Sequence, residues 1–309
     1  MEKKRSVPAA ILLSIAMPGL GHLYCGRLVW AFVFWPLAFA GWAVFLITFG
    51  LAGMELKASY PAFMSASFIV WVIAAIHAGI CARKADPAYK LKTYNVWYFY
   101  LLLWLACFSL PNWGFMKLVQ GELLSTYVLG SDNMRPALLP GDGIMIDQRS
   151  DTRARLERGA VFAVRDPVSR QVLILRLVGL GGETVELTAE GLFIDGSAID
   201  ASEKSNSRYQ QRNSTGEWVS RQVVEMRMQL DDHPVTVYID PRPEARRTGR
   251  WELGPDQLLL LGDNLLEAGA VNLGPVSPGD LIGRALLVRW SKDPHLDEWR
   301  KQRRRMPIP

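Results

Sequence analysis

Cysteine is scarce in this chain and absent from its C-terminal part. The 3 cysteines, Cys25, Cys81 and Cys107, all lie in or beside apolar segments. Beyond Cys107 no disulfide framework is available, and no Cys/His spacing in the chain suggests zinc. Neither a metal nor a cofactor is expected. Histidine is limited to 4 residues: His22, His77, His233 and His295. A histidine in or beside a membrane span can serve as a proton or ligand site, yet neither His22 nor His77 has a carboxylate nearby in sequence. Lysine also thins out, leaving only Lys204 and Lys292 between Lys117 and the basic tail. No internal repeat or low-complexity segment is visible. The redox compartment is left open by the cysteines.

Apolar residues are plentiful and very unevenly placed. Ala9 to Pro111 is dominated by Leu, Ile, Phe, Trp and Ala, whereas the chain after about residue 120 reads as an ordinary globular sequence. The expected division is a membrane region over residues 1–114, a β domain over 120–296 and a basic tail over 297–309. Ala9–Tyr24, interrupted by Pro18-Gly19-Leu20-Gly21, is short for a span, which needs roughly twenty residues. Full spans are expected at about 28–51, 62–82 and 96–112. Arg83, Lys84, Lys90 and Lys92 make the most basic connection, which the positive-inside rule puts in the cytoplasm. Lys3, Lys4, Arg5 and Arg27 then share that side if 9–24 enters and returns. The Glu55–Tyr60 loop and everything after about residue 114 fall outside. Four full spans with an external N-terminus is the competing arrangement. No cleavable signal peptide is expected, because the first apolar run leads into further membrane segments.

The net charge of +5 arises partly from Lys3-Lys4-Arg5, Arg300-Lys301 and Arg303-Arg304-Arg305. Such runs beside membrane segments suit anionic lipid headgroups before nucleic acid, or else are solvated tails. After Leu123 the pattern becomes alternating and β-branched. Strands are expected at Leu123–Leu129, Gly143–Asp147, Gly159–Arg165, Val172–Val178, Thr184–Leu187, Leu192–Ile194, Val223–Leu230, Val235–Ile239, Gln257–Leu261 and Leu281–Trp290. Their close spacing with turn signals indicates an antiparallel barrel-like or sandwich domain. The polar stretch Glu203–Glu217 reads as an exposed loop or a partly ordered insertion.

Ordered motifs run through this domain. Asn133-Met134-Arg135-Pro136-Ala137-Leu138 is followed by Gly141-Asp142, then by Leu175-Arg176-Leu177-Val178-Gly179 and Gly191-Leu192-Phe193-Ile194-Asp195-Gly196. Gly262-Asp263-Asn264, with Gly274 and Val276, comes last. In this order the boxes resemble those of the type I signal peptidases, the S26 serine endopeptidases. The resemblance covers about residues 123–290 and implies a mainly antiparallel β domain behind an α-helical membrane anchor. It also implies exported preproteins as substrates, the lipid bilayer as a partner and a multi-pass place in the cytoplasmic membrane, with the β domain outside. The earlier Pro18-Gly19-Leu20-Gly21-His22-Leu23-Tyr24-Cys25-Gly26 is similar to the signature of small two-helix membrane modules of the TM2 type.

The departures fall on the chemistry that the resemblance implies. The nucleophilic serine position holds Asn133, and the general-base lysine position holds Leu175. A serine/lysine mechanism needs a hydroxyl to attack and a neutral amine to take its proton. In the last box Leu265, Ala268, Ala270 and Asn272 replace the usual polar residues. Ser131 survives, either as an oxyanion hydrogen-bond donor or as a replacement nucleophile. Met134, Pro136 and Leu175 are expected to line a substrate groove, with plain core packing the equal alternative for Met134 and Leu175. Asp142, Gly262, Asp263 and Asn264 are expected to be structural turn residues, and Arg176 either pairs with a carboxylate or sits exposed. The expected function is a signal peptidase-like membrane protein of the export pathway, catalytically inactive and binding exported polypeptides. An endopeptidase using a non-standard residue and a structural membrane scaffold are the alternatives.

Overall fold

In a computed structural model the described residues are 5–51, 56–86, 96–119, 123–212, 217–267 and 273–308. The chain separates into two units, Met1–Val119 and Gln120–Pro309.

The first unit is helical. Helix α1 (Val7–Ala16) begins where Ser6 accepts a hydrogen bond from the Ala9 amide, with Pro8 in the first turn. It turns back at Pro18-Gly19 into the short helix α2 (Leu20–Tyr24). Gly19 holds φ at +104°, which side chains with a Cβ rarely adopt. Gly21 lets the two segments close, since a Cβ there would stand 2.1 Å from the Ala10 carbonyl oxygen. Arg5, from the basic run assigned to lipid headgroups or solvated tails, packs its guanidinium over the Tyr24 ring at 4.6 Å.

Three further stretches are long and apolar enough to cross a membrane: Leu28–Phe49, Ala58–Arg83 and Trp97–Lys117. Only 28%, 17% and 0% of their most apolar windows is buried, so most of that apolar surface is left uncovered. Tryptophan indole N–H groups tie these stretches together, Trp35 donating to the Cys107 carbonyl and Trp42 to the Asn112 side-chain oxygen, each at 2.7 Å. His22 and His77 lie side by side rather than alone, 2.9 Å apart between ring nitrogens. Lys3, Lys4, Lys90 and Lys92 fall outside the described residues.

The second unit is built from antiparallel strands. Its main sheet is ordered β1 (Leu124–Val128), β2 (Asp142–Asp147), β14 (Leu281–Ser291), β3 (Val161–Arg165), β4 (Val172–Gly179), β12 (Leu258–Leu261) and β13 (Pro275–Val276). Smaller sheets comprise β11 (Gly249–Glu252), β5 (Thr184–Leu187), β6 (Leu192–Ile194) and β7 (Ser197–Ala198), and β10 (His233–Ile239), β9 (Trp218–Leu230) and β8 (Ala201–Arg212). Strand β12 explains the continuous apolar run. Leu258 and Leu260 join one hydrophobic core while Leu259 and Leu261 join another, as the two-residue period of a strand between two cores requires.

Two sequence expectations are corrected. Most of Glu203–Glu217 is not a loop, because β8 pairs with β9 from Ala201↔Met228 to Arg212↔Trp218. Residues 213–216 lie outside the described residues. This ribbon is largely exposed on both faces, so it carries no apolar alternation for a sequence pattern to detect. The basic tail, in turn, is woven into the domain: β15 (Met306–Pro307) pairs with β14 at Val288↔Met306 and Leu287↔Pro307.

Candidate functional site

The turn between β1 and β2 is closed by two backbone bonds, from the Leu129 amide to the Asp142 carbonyl at 2.9 Å and from the Gly141 amide to the Leu129 carbonyl at 2.7 Å. Within it, Met134 and Leu138 point into the core with no exposed surface, and the Leu138 amide donates to the Met134 carbonyl at 2.8 Å. These two side chains fix the turn. The Arg135–Pro136 peptide is cis. Asn133 is half-buried and Ser131 exposed, and neither side chain has a hydrogen-bond partner among the described residues.

Leu175 sits in the middle of β4 opposite Phe162 of β3, also with no exposed surface, in the same core as Met134. Met134 and Leu175 are therefore core and not an open groove floor; of the three expected groove residues only Pro136 offers surface. Apolar side chains bury wherever space allows, and Leu at 175 lets the core close over that point.

Arg176, one residue on, is turned into the protein and not exposed. Its guanidinium grips Asp263 through two bonds of 2.7 Å and donates to the Gly159 carbonyl at 2.6 Å, with 2% and 1% of the two side chains exposed. This forked pairing satisfies both charges in a place where an unpaired one would be very costly. Asp263 and Asn264 follow β12, and Asn264 locks them to the turn. Its amide nitrogen donates to the Asn133 carbonyl at 2.8 Å, and its side-chain amide donates to the Asp132 carbonyl at 3.1 Å and to the Tyr209 hydroxyl at 2.9 Å. Burial pushes the Tyr209 hydroxyl up to about 12, against the opposing pull of its bond from Asn264. The Arg135 guanidinium lies over the Tyr209 ring at 4.9 Å.

Asp142 has no exposed surface. It accepts from the Leu139 amide at 2.8 Å and from Arg303 of the tail at 2.7 Å, while Arg303 also donates to the Ala137 carbonyl at 2.8 Å. Sequence reasoning missed this contact and the role of Tyr209, which comes from the misread β8. Nothing local signals either partnership.

No general base is evident among the described side chains near the turn. The Lys292 amine pairs with Asp297 and lies 5.6 Å from the Trp299 ring, His295 packs edge-on to Trp218, and His233 lies against Gly159. Leu265 packs in the second core, while Ala268, Ala270 and Asn272 lie outside the described residues.

The strand order, the anchored turn and the Arg176–Asp263 brace define an antiparallel β domain that holds one turn from two sides. A family model described as "Signal peptidase, peptidase S26" matches residues 102–290, more than half of the chain, and the chain belongs to that family. Among curated relatives, Signal peptidase I of Bacillus amyloliquefaciens is 28% identical over 105 residues, 33% of this chain and 54% of its own length. Signal peptidase I P of Bacillus subtilis subsp. natto is 25% identical over 105 residues, 33% and 56% of the respective chains, and Signal peptidase I T of Bacillus subtilis (strain 168) is 26% identical over 82 residues, 26% and 42%. The chain spans about half the length of the curated relatives it matches.

Proposed function

We propose that this protein is a catalytically inactive signal peptidase relative that holds extended segments of exported polypeptides against its β domain. The observation that carries the reading is the pair Asn133 and Leu175, one without a nucleophilic hydroxyl and the other without a basic nitrogen and wholly buried. Binding needs neither. Strand addition uses main-chain donors and acceptors along an edge. Among the described residues, β1 is paired only on its β2 side, and Val172–Leu173, the part of β4 that keeps some surface, only on the β3 side. Those edges, beside Pro136 and the exposed Ser131, are the surface we assign to the polypeptide. In this reading the chain is multi-pass in the cytoplasmic membrane with the β domain outside, as the basic connection at Arg83 and Lys84 favours.

Processing of a preprotein by the purified protein in detergent tests inactivity; clean cut after a small-x-small motif, lost in Asn133→Ala or Ser131→Ala, overturns the proposal. Ser131, exposed and with a free hydroxyl, carries the second reading of a working peptidase. That reading requires covalent labelling by a lipopeptide or penem inhibitor at Ser131.

A further inference from the structure

The membrane unit contains a cluster of donor atoms that the peptide-binding reading leaves unused. His77 and Cys81 stand one helical turn apart on the span Ala58–Arg83, hence on one face. His22, on α2, meets them there. Its Nε2 lies 2.9 Å from His77 Nδ1, the Cys81 Sγ lies 3.8 Å from the same Nδ1, and donor atoms of all three fall within 4.8 Å of one another. The wall around them is apolar and aromatic. Phe34 stacks on His22 at 4.7 Å, Trp30 approaches His77 at 4.4 Å, and Ala78 and Ala82 pack beside Cys81. His22 has no exposed surface, and its Nδ1 has no hydrogen-bond partner.

A hydrogen-bonded imidazole pair filling space is the simpler account. It explains the 2.9 Å contact but not the thiol turned to the same nitrogen, nor why polar rings fill a wall that Phe or Leu would fill without desolvation cost. We propose that His22, His77 and Cys81 form a binding site for a soft transition-metal ion, cuprous copper. Metal–nitrogen bonds of about 2.0–2.1 Å and metal–sulfur bonds of about 2.3 Å at trigonal angles separate donors by roughly 3.6 and 3.8 Å. The observed sulfur–nitrogen separation of 3.8 Å matches the second value, and the imidazole pair at 2.9 Å opens by roughly 0.7 Å to admit the ion.

Charge selects the ion. On binding, Cys81 releases its proton to solvent, both imidazoles stay neutral with a lone pair toward the metal, and His22 keeps its ring proton on Nδ1. One thiolate then neutralises a monovalent ion, and no net charge remains in the apolar wall. A zinc ion on the same set keeps a positive charge there unless a second thiolate joins. Cys25 is the available one, because it packs in the same cluster as Cys81. Thiolate and imidazole together are the donor set that cuprous ion accepts in three-coordinate form.

The test uses the full chain in detergent, reduced and kept anaerobic. It is loaded with tetrakis(acetonitrile)copper(I) or, in parallel, zinc chloride, then challenged with a competing chelator. One equivalent of copper retained by the wild type is expected. Cys81→Ser and His77→Gln should each weaken retention by at least about 100-fold, more than loss of an outer-shell partner costs, while Cys25→Ser stays within about threefold. X-ray absorption should show one sulfur and two nitrogen neighbours. Helical circular dichroism checks that each variant folds, and His22→Phe, which preserves ring stacking, replaces any that does not. No copper on the wild type, undiminished copper in Cys81→Ser and His77→Gln, or retention of zinc alone with dependence on Cys25 overturns the assignment.

Discussion

Asn133 and Leu175 differ in what restoring them would cost. Asn133 is half-buried with an unpartnered side chain, so Asn133→Ser exchanges one small polar group for another. Leu175→Lys buries an amine among apolar side chains, which should destabilise by about 2–4 kcal/mol and hold its pKa well below about 10.4. That depression is what a general base needs. The double variant Asn133→Ser, Leu175→Lys is expected to gain preprotein cleavage if the framework around the turn is intact; electrophoresis of a processed substrate reads this directly. The Arg176–Asp263 pair yields an opposite prediction. Asp263→Ala leaves a cation with 2% exposure without the carboxylate that neutralises it, and should cost about 3–5 kcal/mol in denaturant unfolding. These residues were legible in sequence because each sits in a motif with its own spacing. The choice between a paired and an exposed Arg176 was not legible, since its partner lies 87 residues away.

Strands with one buried face announced themselves, and strands without one did not. The ten expected strands all have counterparts, whereas β8 was hidden by its polarity, and with it Tyr209, the residue that reaches Asn264 from outside the family-like motifs. Tyr209 offers a pH test. Below about pH 10 its hydroxyl is protonated in folded and unfolded chains alike and contributes nothing to pH dependence. Between there and about 12 the unfolded chain ionises while the folded one keeps its proton, so stability falls as pH rises. Melting temperature against pH should therefore drop over that window, and less steeply in Tyr209→Phe. In the membrane unit the α1–α2 hairpin depends on close approach at Gly21. Gly21→Leu should separate the two segments, because even a Cβ meets backbone at 2.1 Å; a lowered melting temperature of the helical circular dichroism signal in that variant would report it.

At the scale of the molecule, composition alone separated an apolar helical region from a globular one. The reason is physical: apolar helices with 0–28% of their windows covered cannot be confused with a domain that buries its own cores. Both large cores of the β domain draw only on residues after Gln120. Residues 120–309 produced without the helices should fold to a β-rich domain with a single cooperative melt by circular dichroism. What sequence could not convey was how the tail is used. Arg303→Ala should cost about 2–4 kcal/mol in the same experiment, since Asp142 would lose its countercharge while remaining fully buried.

The Asp142–Arg303 contact also sets an order of events during synthesis. Asp142 emerges from the ribosome 161 residues before the arginine that neutralises it. At a synthesis rate of roughly 5–20 residues per second, that interval is on the order of ten to thirty seconds. Throughout it, the turn bearing Asn133 must wait with the Asp142 carboxylate still hydrated, so the site is finished only when the stretch carrying Arg303 has been made.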